Sequence, residues 1–399
     1  MRRLLLVLRA IALGLAWFGA TALFVLSPAI GSISSIVAVA AALLLSPTAV
    51  FRGAWSTIRA QPAMLIFLAS FVSLTVCYIA TSRQPSDVLL MAAFFGLALA
   101  PVVFLLADRR PGTQTAAIVC GLMVLGALVG ALTASYDVFV EHKARAVGWA
   151  QGGNLMARTV VLIGFLAAAG LFANRSQWRW WYLLGPALSL YALYLTGTRG
   201  VFVAIPVLGL ILLWAIMREL RAPRWWYAAG LAALVVVIVA ALAISPRFLG
   251  IGRILEEVAT DPSTLTDHSV GKRLTMWTAG WVTFLKSPLI GFGWANFGEA
   301  SKPYGIYMFH NDFFDMAVAA GIVGIGCWVA ILIAPVAGVL AMPRDRLHLA
   351  RLYCALVLSA GTFIFGLTDM TLGYDLPTTL FAFATAVVLG AFRERRLEL

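Results

Sequence analysis

His310 is the residue in this sequence best suited to acid–base chemistry. It lies in FHNDFFDMAVAAGIVGIGCW (309–328), where His310, Asn311 and Asp312 stand at the start of an apolar run long enough to cross a bilayer. An imidazole has an ordinary pKa of about 6.5 and can take a proton from a hydroxyl at neutral pH. His310 is therefore a candidate general base, and a His that only reaches water is the alternative. Asp369, at the end of another run, could orient the ring, and the alternatives are an unpaired acid or a simple helix cap.

Several arginines could bind an anion at the same boundary. Arg199 lies in LTGTRGVF between two glycines that would let a phosphate approach the backbone, and a guanidinium suits bidentate phosphate contacts. Arg145, Arg158 and Arg273 also lie near the ends of apolar runs and could join it. Several cations at one boundary suit a diphosphate. A side chain that merely anchors its helix at the interface is the alternative for Arg199.

Neither a metal site nor a cofactor is indicated by the residue pattern. All four cysteines lie inside apolar runs, without CxxC or zinc-like spacing. Asp312 and Asp315 alone are too few ligands for a metal. The glycine-rich GFGWANFG (291–298) follows no predicted strand, so we interpret it as a tight turn rather than a nucleotide-binding loop.

The composition is that of a membrane protein. Hydrophobic residues make up 62% of the chain, charged residues 12%, and the mean hydropathy is +0.94. A soluble chain would carry about 25% charged residues. The net charge of +12 does not indicate a nucleic-acid partner, because most of the arginines lie in short loops between apolar runs.

The elements that must position these residues are helices that span the membrane. We predict an all-α polytopic protein with about twelve transmembrane helices, each needing about 20 apolar residues. The predicted runs are 8–27, 30–50, 62–81, 88–107, 114–135, 155–173, 180–198, 201–217, 225–245, 313–340, 352–370 and 376–392. The first run is too long for a cleaved signal peptide, so we interpret it as an uncleaved span.

Arginine-rich short loops on one side predict that both termini are cytoplasmic. The resulting organisation is nine helices in 1–245, a long periplasmic loop in 246–312, and three helices in 313–399. Within the loop, KRLTMWTAGWVTFLKSP (272–288) predicts a helix ended by Pro288. It could lie flat on the outer membrane surface or pack on the ends of the spans. After His310, the small residues Ala317, Gly321 and Gly324 predict close packing by another helix.

Three segments of this loop resemble a known signature. KRLTMW, SPLIGFGWANF and FHNDFFDMAVAAGIVGIG together resemble the signature segment of the O-antigen ligase and polymerase superfamily. The TRG at 198–200 is similar to a second motif of the ligases. Phe313-Phe314 departs from the Leu-containing pair expected after His-Asn, and this change is apolar for apolar.

The resemblance implies a GT-C-like glycosyltransferase of the bacterial inner membrane that faces the periplasm and needs neither metal nor ATP. Its donor would be a glycan on undecaprenyl diphosphate, and its acceptor a sugar hydroxyl of lipid A core, both among membrane lipids. By this analogy, His310 is the general base, while Arg199 and Arg273 hold the diphosphate and stabilise it as it leaves. Arg145 and Arg158 would assist binding, with Asn311, Asp312 and Asp369 in support.

Other functions remain open on the sequence. An O-antigen polymerase would extend the glycan with another lipid-linked repeat. A protein O-oligosaccharyltransferase would use a Ser hydroxyl, and we expect such an enzyme to carry an extra C-terminal domain beyond the last span. From another class, a polysaccharide or lipid transporter would need charges at mid-depth and paired broken helices.

Overall fold

The computed structural model describes residues 22–26, 33–45, 54–148, 152–221, 268–306 and 308–394, together with single positions in 12–19 and 223–232. Throughout this part of the chain the regular elements are helices. The pairing of Leu372 with Tyr374 is a single bridge and not a strand. The predicted all-helical fold class is confirmed. The twelve-span count is not tested, because nearly all of 225–245, the loop residues 246–267 and both termini lie outside the described residues.

Fifteen α-helices of the described chain are used below. They are α1 (Ile33–Leu45), α2 (Ala54–Arg59), α3 (Pro62–Thr81), α4 (Phe95–Ala107), α5 (Thr113–Ser135), α6 (Gly153–Ala167), α7 (Gly170–Ala173), α8 (Leu184–Thr196), α9 (Arg199–Phe202), α10 (Ala204–Glu219), α11 (His268–Lys286), α12 (Phe297–Ser301), α13 (Asp312–Leu340), α14 (His348–Thr368) and α15 (Asp375–Ala391). Short 3₁₀ segments are Leu23–Leu26, Pro85–Phe94, Gln177–Leu183 and Lys302–Tyr304, and Tyr136–Val140 is a π turn.

Seven stretches of the described chain are helical, long and apolar enough to cross a membrane. They are Pro62–Thr81, Pro85–Ala107, Thr113–Val140, Gly153–Ala173, Arg199–Glu219, Asp312–Leu340 and His348–Thr368. Each coincides with a predicted run to within a few residues. The predicted runs 180–198 and 376–392 correspond to the shorter helices α8 and α15. The chain is therefore a multi-pass membrane protein.

Helices α6 and α15 form the centre of the bundle. Almost every residue of α15 is buried, and it packs along α4. Helix α6 is buried from Met156 to its end at Ala167, against α5, α8 and α14. A helix that is apolar on all sides is stable only when other helices surround it, which explains why these two lie inside.

One end of the bundle, which we call the site end, collects the segments that carry the predicted functional residues. Helix α11 lies there and ends at Lys286, just before Pro288 as predicted. Its Ala279 and Phe284 are buried in a cluster with Phe309 and the start of α13. On its other side Trp281 is exposed. The helix therefore packs on the end of a span, which was one of the two predicted alternatives.

Candidate functional site

His310 and Asp369 are in direct contact at the site end. The Nδ1 atom of His310 lies 2.6 Å from Oδ1 of Asp369. The imidazole is half exposed, whereas the carboxyl group is largely buried. Asp369 follows directly after α14, and His310 comes just before α13. The packing of α13 against α14 therefore brings the two side chains together across the bundle end.

The backbone around His310 is held in an unusual conformation by its neighbours. His310 has φ +50°, the left-handed region, which is uncommon for a residue with a side chain. The buried carboxylate of Asp315 accepts hydrogen bonds from the backbone N–H of Phe309 at 3.1 Å and of Asn311 at 3.4 Å. Asn311 in turn caps α13 by accepting from the N–H of Phe313 at 3.0 Å. These contacts fix the direction of the imidazole.

Asp312 holds the segment that carries Asp369. Its fully buried carboxylate accepts hydrogen bonds from the backbone N–H of Thr371 at 2.5 Å and of Leu372 at 3.1 Å. A buried carboxylate is stable only with such partners. Asp312 thus ties the segment after α14 to the first turn of α13, two residues after His310.

The second oxygen of Asp369 is also occupied. It accepts hydrogen bonds from Arg158 and, at 3.1 Å, from Asn154 Nδ2, both on α6. Arg158 is buried and also donates to the carbonyl oxygen of Met370 at 2.5 Å. Burial alone would raise the pKa of the Asp369 carboxyl, but the hydrogen bond with His310 and the charge of Arg158 outweigh it and hold that pKa well below its usual range.

An open cavity of about 470 Å³ lies beside this cluster and is rich in cations. Its lining residues are Arg145, Asn154, Arg158, Gly197, Thr198, Arg199, Gly200, Val201, Arg273, Thr368 and Asp369. Arg145 is fixed on its rim because its Nε donates to the carbonyl oxygen of Thr196 at 2.8 Å. The negative charge of Asp369 balances the positive charge of Arg158. The guanidinium groups of Arg145, Arg199 and Arg273 therefore give the cavity a net positive charge.

The glycine after Arg199 has a packing role. A Cβ atom at Gly200 would lie 2.9 Å from Oγ1 of Thr368, so this glycine lets α9 approach the end of α14 closely. Gly197 ends α8 in the left-handed conformation, with φ +62°. The two glycines line the cavity, and they also make the turn that places Arg199 on its wall.

A second cavity, of about 450 Å³, adjoins the first and contains His310. It is lined by Arg145, Ala146, Val147, Gly152, Gly153, Asn154, Leu155, Arg158, His310, Asp369 and Tyr374. Arg145, Asn154, Arg158 and Asp369 are common to both cavities. The histidine thus faces one cavity, and the guanidinium groups of Arg199 and Arg273 face the other.

Six of the seven ionisable residues singled out for the site by the sequence line these two cavities: Arg145, Arg158, Arg199, Arg273, His310 and Asp369. Asn311 and Asp312 lie buried behind the imidazole. Sequence reasoning missed Asn154 and Tyr374, which carry no signal beyond their polarity. It noted Asp315 without a role, although Asp312 and Asp315 share one helix face at three-residue spacing. Among the described residues no group of three His, Cys, Asp or Glu side chains could hold a metal.

Comparison with known families agrees with the resemblance seen in the sequence. A family model described as O-antigen ligase (Wzy_C) matches residues 184–329. The matched segment contains Arg199, Arg273 and His310, whereas Arg145, Arg158 and Asp369 lie outside it. No curated protein matches the chain. The segment 184–329 thus matches the O-antigen ligase family, and this match supports placing the chain in the O-antigen ligase/polymerase superfamily.

Proposed function

We propose that this protein is a glycosyltransferase that moves an O-antigen glycan from undecaprenyl diphosphate to a sugar hydroxyl of lipid A core at the periplasmic face of the inner membrane. The observation that carries the proposal is the His310–Asp369 pair, which stands where a cavity lined by arginines meets a second cavity. In this reaction the glycosyl–diphosphate bond supplies the driving force, so ATP is not required, and the arginines supply the positive charge that a metal ion would otherwise provide for the leaving diphosphate.

The donor diphosphate would bind in the first cavity. Arg145, Arg199 and Arg273 line it, and guanidinium groups bind phosphate oxygens in bidentate fashion. The same cations stabilise the diphosphate as it leaves, because negative charge develops on its oxygen as the glycosidic bond breaks. The polyprenyl chain stays in the bilayer beside the spans. Arg158 takes a different part in the proposal, since its charge orients Asp369.

The acceptor hydroxyl would bind in the second cavity. Because Asp369 occupies Nδ1, the Nε2 atom of His310 is the nitrogen that can take a proton. As the hydroxyl proton moves to Nε2, the hydroxyl oxygen attacks the anomeric carbon of the donor sugar. The carbon–oxygen bond to the diphosphate breaks, and undecaprenyl diphosphate leaves with that electron pair. His310 is half exposed, so it can then release the proton to water.

A transporter is the less favoured function. The ionisable residues that line the cavities lie at one end of the bundle. One described span, α13, is broken at Ala320 and Gly321. The backbone of residues 288–293 forms hydrogen bonds on both sides of this break, so the backbone groups there are not available to bind a substrate. Two other described spans consist of two helices each, interrupted at 168–169 and at Val203, but the φ and ψ of these residues stay helical. Neither interruption is a broken helix of the kind that the transporter alternative requires.

Transfer with purified protein tests the proposal. The protein would be mixed with a lipid-linked glycan and rough lipopolysaccharide, without ATP and with EDTA. We expect glycan on the lipopolysaccharide. No transfer to any acceptor would overturn the proposal, and transfer only to a Ser-containing peptide would favour the protein O-oligosaccharyltransferase.

The polymerase is separated from the ligase by deletion of the gene in its host. Loss of a ligase leaves polymerised glycan on the polyprenyl carrier and lipopolysaccharide without an O-chain. Loss of a polymerase leaves lipopolysaccharide with a single repeat. Gel analysis of both lipid fractions decides between them, and one-repeat lipopolysaccharide would contradict the ligase.

A further inference from the structure

Helix α13 is interrupted about two turns after it begins at Asp312. Ala320 has φ −135° and ψ 15°, and Gly321 has φ 62° and ψ −147°, so neither residue is helical. The break separates a short piece, 312–319, from the long piece that continues through the bundle. Backbone N–H and C=O groups at such a break lose their partners within the helix, and buried ones must find others.

The turn after α11, residues 287–293, supplies these partners. The N–H of Phe292 donates to the carbonyl oxygen of Val318 at 2.9 Å, and the N–H of Gly293 donates to that of Ala319 at 2.8 Å. In the other direction, the N–H of Ile322 donates to the carbonyl oxygen of Pro288 at 2.8 Å. Three backbone hydrogen bonds therefore join the turn to both sides of the break.

Two glycines make this contact possible. A Cβ atom at Gly321 would lie 2.4 Å from the carbonyl carbon of Leu289, and a Cβ atom at Gly291 would lie 2.5 Å from that of Ala319. Both glycines have positive φ, of 62° and 69°. The opposing atoms are backbone and cannot rotate aside as a side chain could. The close neighbour predicted at Gly321 is thus an extended turn and not a helix.

The same turn is tied to α3. A Cβ atom at Gly293 would lie 2.4 Å from Oγ1 of Thr81, so the two segments are in close contact. Asn296 Nδ2 donates to the carbonyl oxygen of Thr81 at 3.1 Å. Within the turn, Ser287 Oγ donates to the carbonyl oxygen of Gly291 at 2.8 Å. These contacts bind the turn to the end of α3 and stabilise the turn's own conformation.

The segments joined here carry the two halves of the site. Helix α11 bears Arg273 and ends at Lys286, immediately before the turn. The short piece of α13 begins at Asp312 and contains Asp315, which fixes the backbone around His310. We propose that Gly291 and Gly321 are positioning residues, whose interlocked backbones set the distance between the diphosphate-binding Arg273 and the base His310. This inference rests on the proposed function.

Glycine-to-alanine variants test the interlock by kinetics. In Gly321→Ala and Gly291→Ala, we expect kcat to fall at least about tenfold and the KM for the lipid diphosphate donor to rise, because a shift of about 1 Å can cost 10²-fold in rate. The double variant should be little worse than either single one, since both break the same contact. Gly326→Ala is the matched control on α13, because a Cβ there meets no atom within 4 Å. A purely structural role would lower the yield of folded protein and leave its kcat and KM unchanged.

A milder variant and a direct distance measurement distinguish loss of the interlock from misfolding of the variant. Ser287→Ala removes one hydrogen bond without a clash and should shift kcat and KM in the same direction by a smaller factor. Spin labels at the exposed Ser86 and Thr278 should report one narrow distance in the wild type and a broader distribution in Gly321→Ala. The same narrow distance in both proteins would overturn the interlock. If the wild type transferred no glycan but Gly321→Ala still showed the broader distribution, the proposed function would be refuted and the interlock would stand.

Discussion

The imidazole of His310 and the carboxylate of Asp369 lie 2.6 Å apart although 59 positions separate them in the chain. Because the pKa of Asp369 is held below its usual range, its carboxylate is ionised at neutral pH and accepts a hydrogen bond. The Nδ1 atom must then carry the proton, which leaves the lone pair on Nε2. Asp369 thus determines which nitrogen can act as a base, as well as the direction in which the ring points.

Replacing the base should abolish most of the activity without loss of protein. We expect His310→Ala to lower kcat by about 10²–10⁴-fold, the typical contribution of a general base. His142→Ala is the matched control, because His142 is also exposed with positive φ, at 53°, yet lines neither cavity. Turnover with a lipid-linked donor measures both. Full activity in His310→Ala would remove the histidine from the mechanism.

Removing the charge of Asp369 should misdirect the imidazole. An amide in Asp369→Asn can present its NH₂ group to Nδ1, which would favour the wrong tautomer. We expect kcat to fall strongly while the KM for the donor changes little. Glu299→Gln, which removes an exposed carboxylate paired with Lys302, is the control. Equal losses in kcat and donor affinity would instead indicate a general collapse of the site.

The same variant makes a prediction about stability and pH. A carboxyl whose pKa is lowered in the folded state stabilises the protein above its unfolded pKa, which is about 3.9, and this contribution disappears as pH falls through the folded value. The wild type should therefore unfold at a higher temperature than Asp369→Asn at about pH 5 to pH 6. The difference should shrink only below about pH 4. A difference that already shrinks near pH 6 would contradict the lowered pKa.

The ends of the apolar runs could be predicted from the sequence because the change from apolar to charged residues marks them. A helix in lipid must be apolar, and charge marks where it ends, so the predicted 62–81 agrees with Pro62–Thr81 residue for residue. The candidate residues were found for the same reason, since an ionisable side chain at such a boundary is unusual. Their contacts depend on which helices pack together, and no pattern within a single run contains that information.

The break in α13 is the clearest feature that hydropathy could not predict. Ala320 and Gly321 are as apolar as their neighbours, so a broken span and a continuous one have the same profile. Only the contact with Leu289, which lies in the loop before His310, distinguishes them. Asn154 was missed in the same way, because its role comes entirely from its 3.1 Å contact with Asp369 on another helix.

Neither alanine nor lysine should fully replace Arg199 or Arg273. Arg199→Lys and Arg273→Lys keep the charge but lose the planar fork, so we expect both to be impaired and the alanine variants to be worse. For Arg273 the KM for the donor should rise as kcat falls. Lys272→Ala, which removes the exposed neighbouring cation, should change neither value by more than about twofold. Wild-type kinetics in Arg273→Ala would show that it is only a surface anchor.

The predicted orientation can be tested with fusions. A reporter that is active only outside the cytoplasm should be active after Glu141, at the end that carries the cavities, and silent at Arg110, at the other end of α5. The reason is the arginine asymmetry of the short loops. Activity in the opposite order would place the site in the cytoplasm and exclude a periplasmic transferase.

Tyr374 should affect the acceptor and not the donor. It lines the cavity that contains His310 and is absent from the lining of the one that contains Arg199 and Arg273. A half-buried aromatic ring gives a sugar a flat apolar surface beside the base. In Tyr374→Ala we expect the KM for rough lipopolysaccharide to rise about tenfold and the KM for the lipid-linked donor to stay within twofold.

The phenylalanine variant separates the ring from its hydroxyl. The hydroxyl's neighbour is Met308 Sδ at 3.7 Å, which is a weak contact. Tyr374→Phe should therefore retain most of the acceptor affinity, because the ring is kept. Arg273→Ala is the reciprocal control, since it should raise the KM for the donor first. If Tyr374→Ala raised the donor KM and left the acceptor KM unchanged, the assignment of one substrate to each cavity would be reversed.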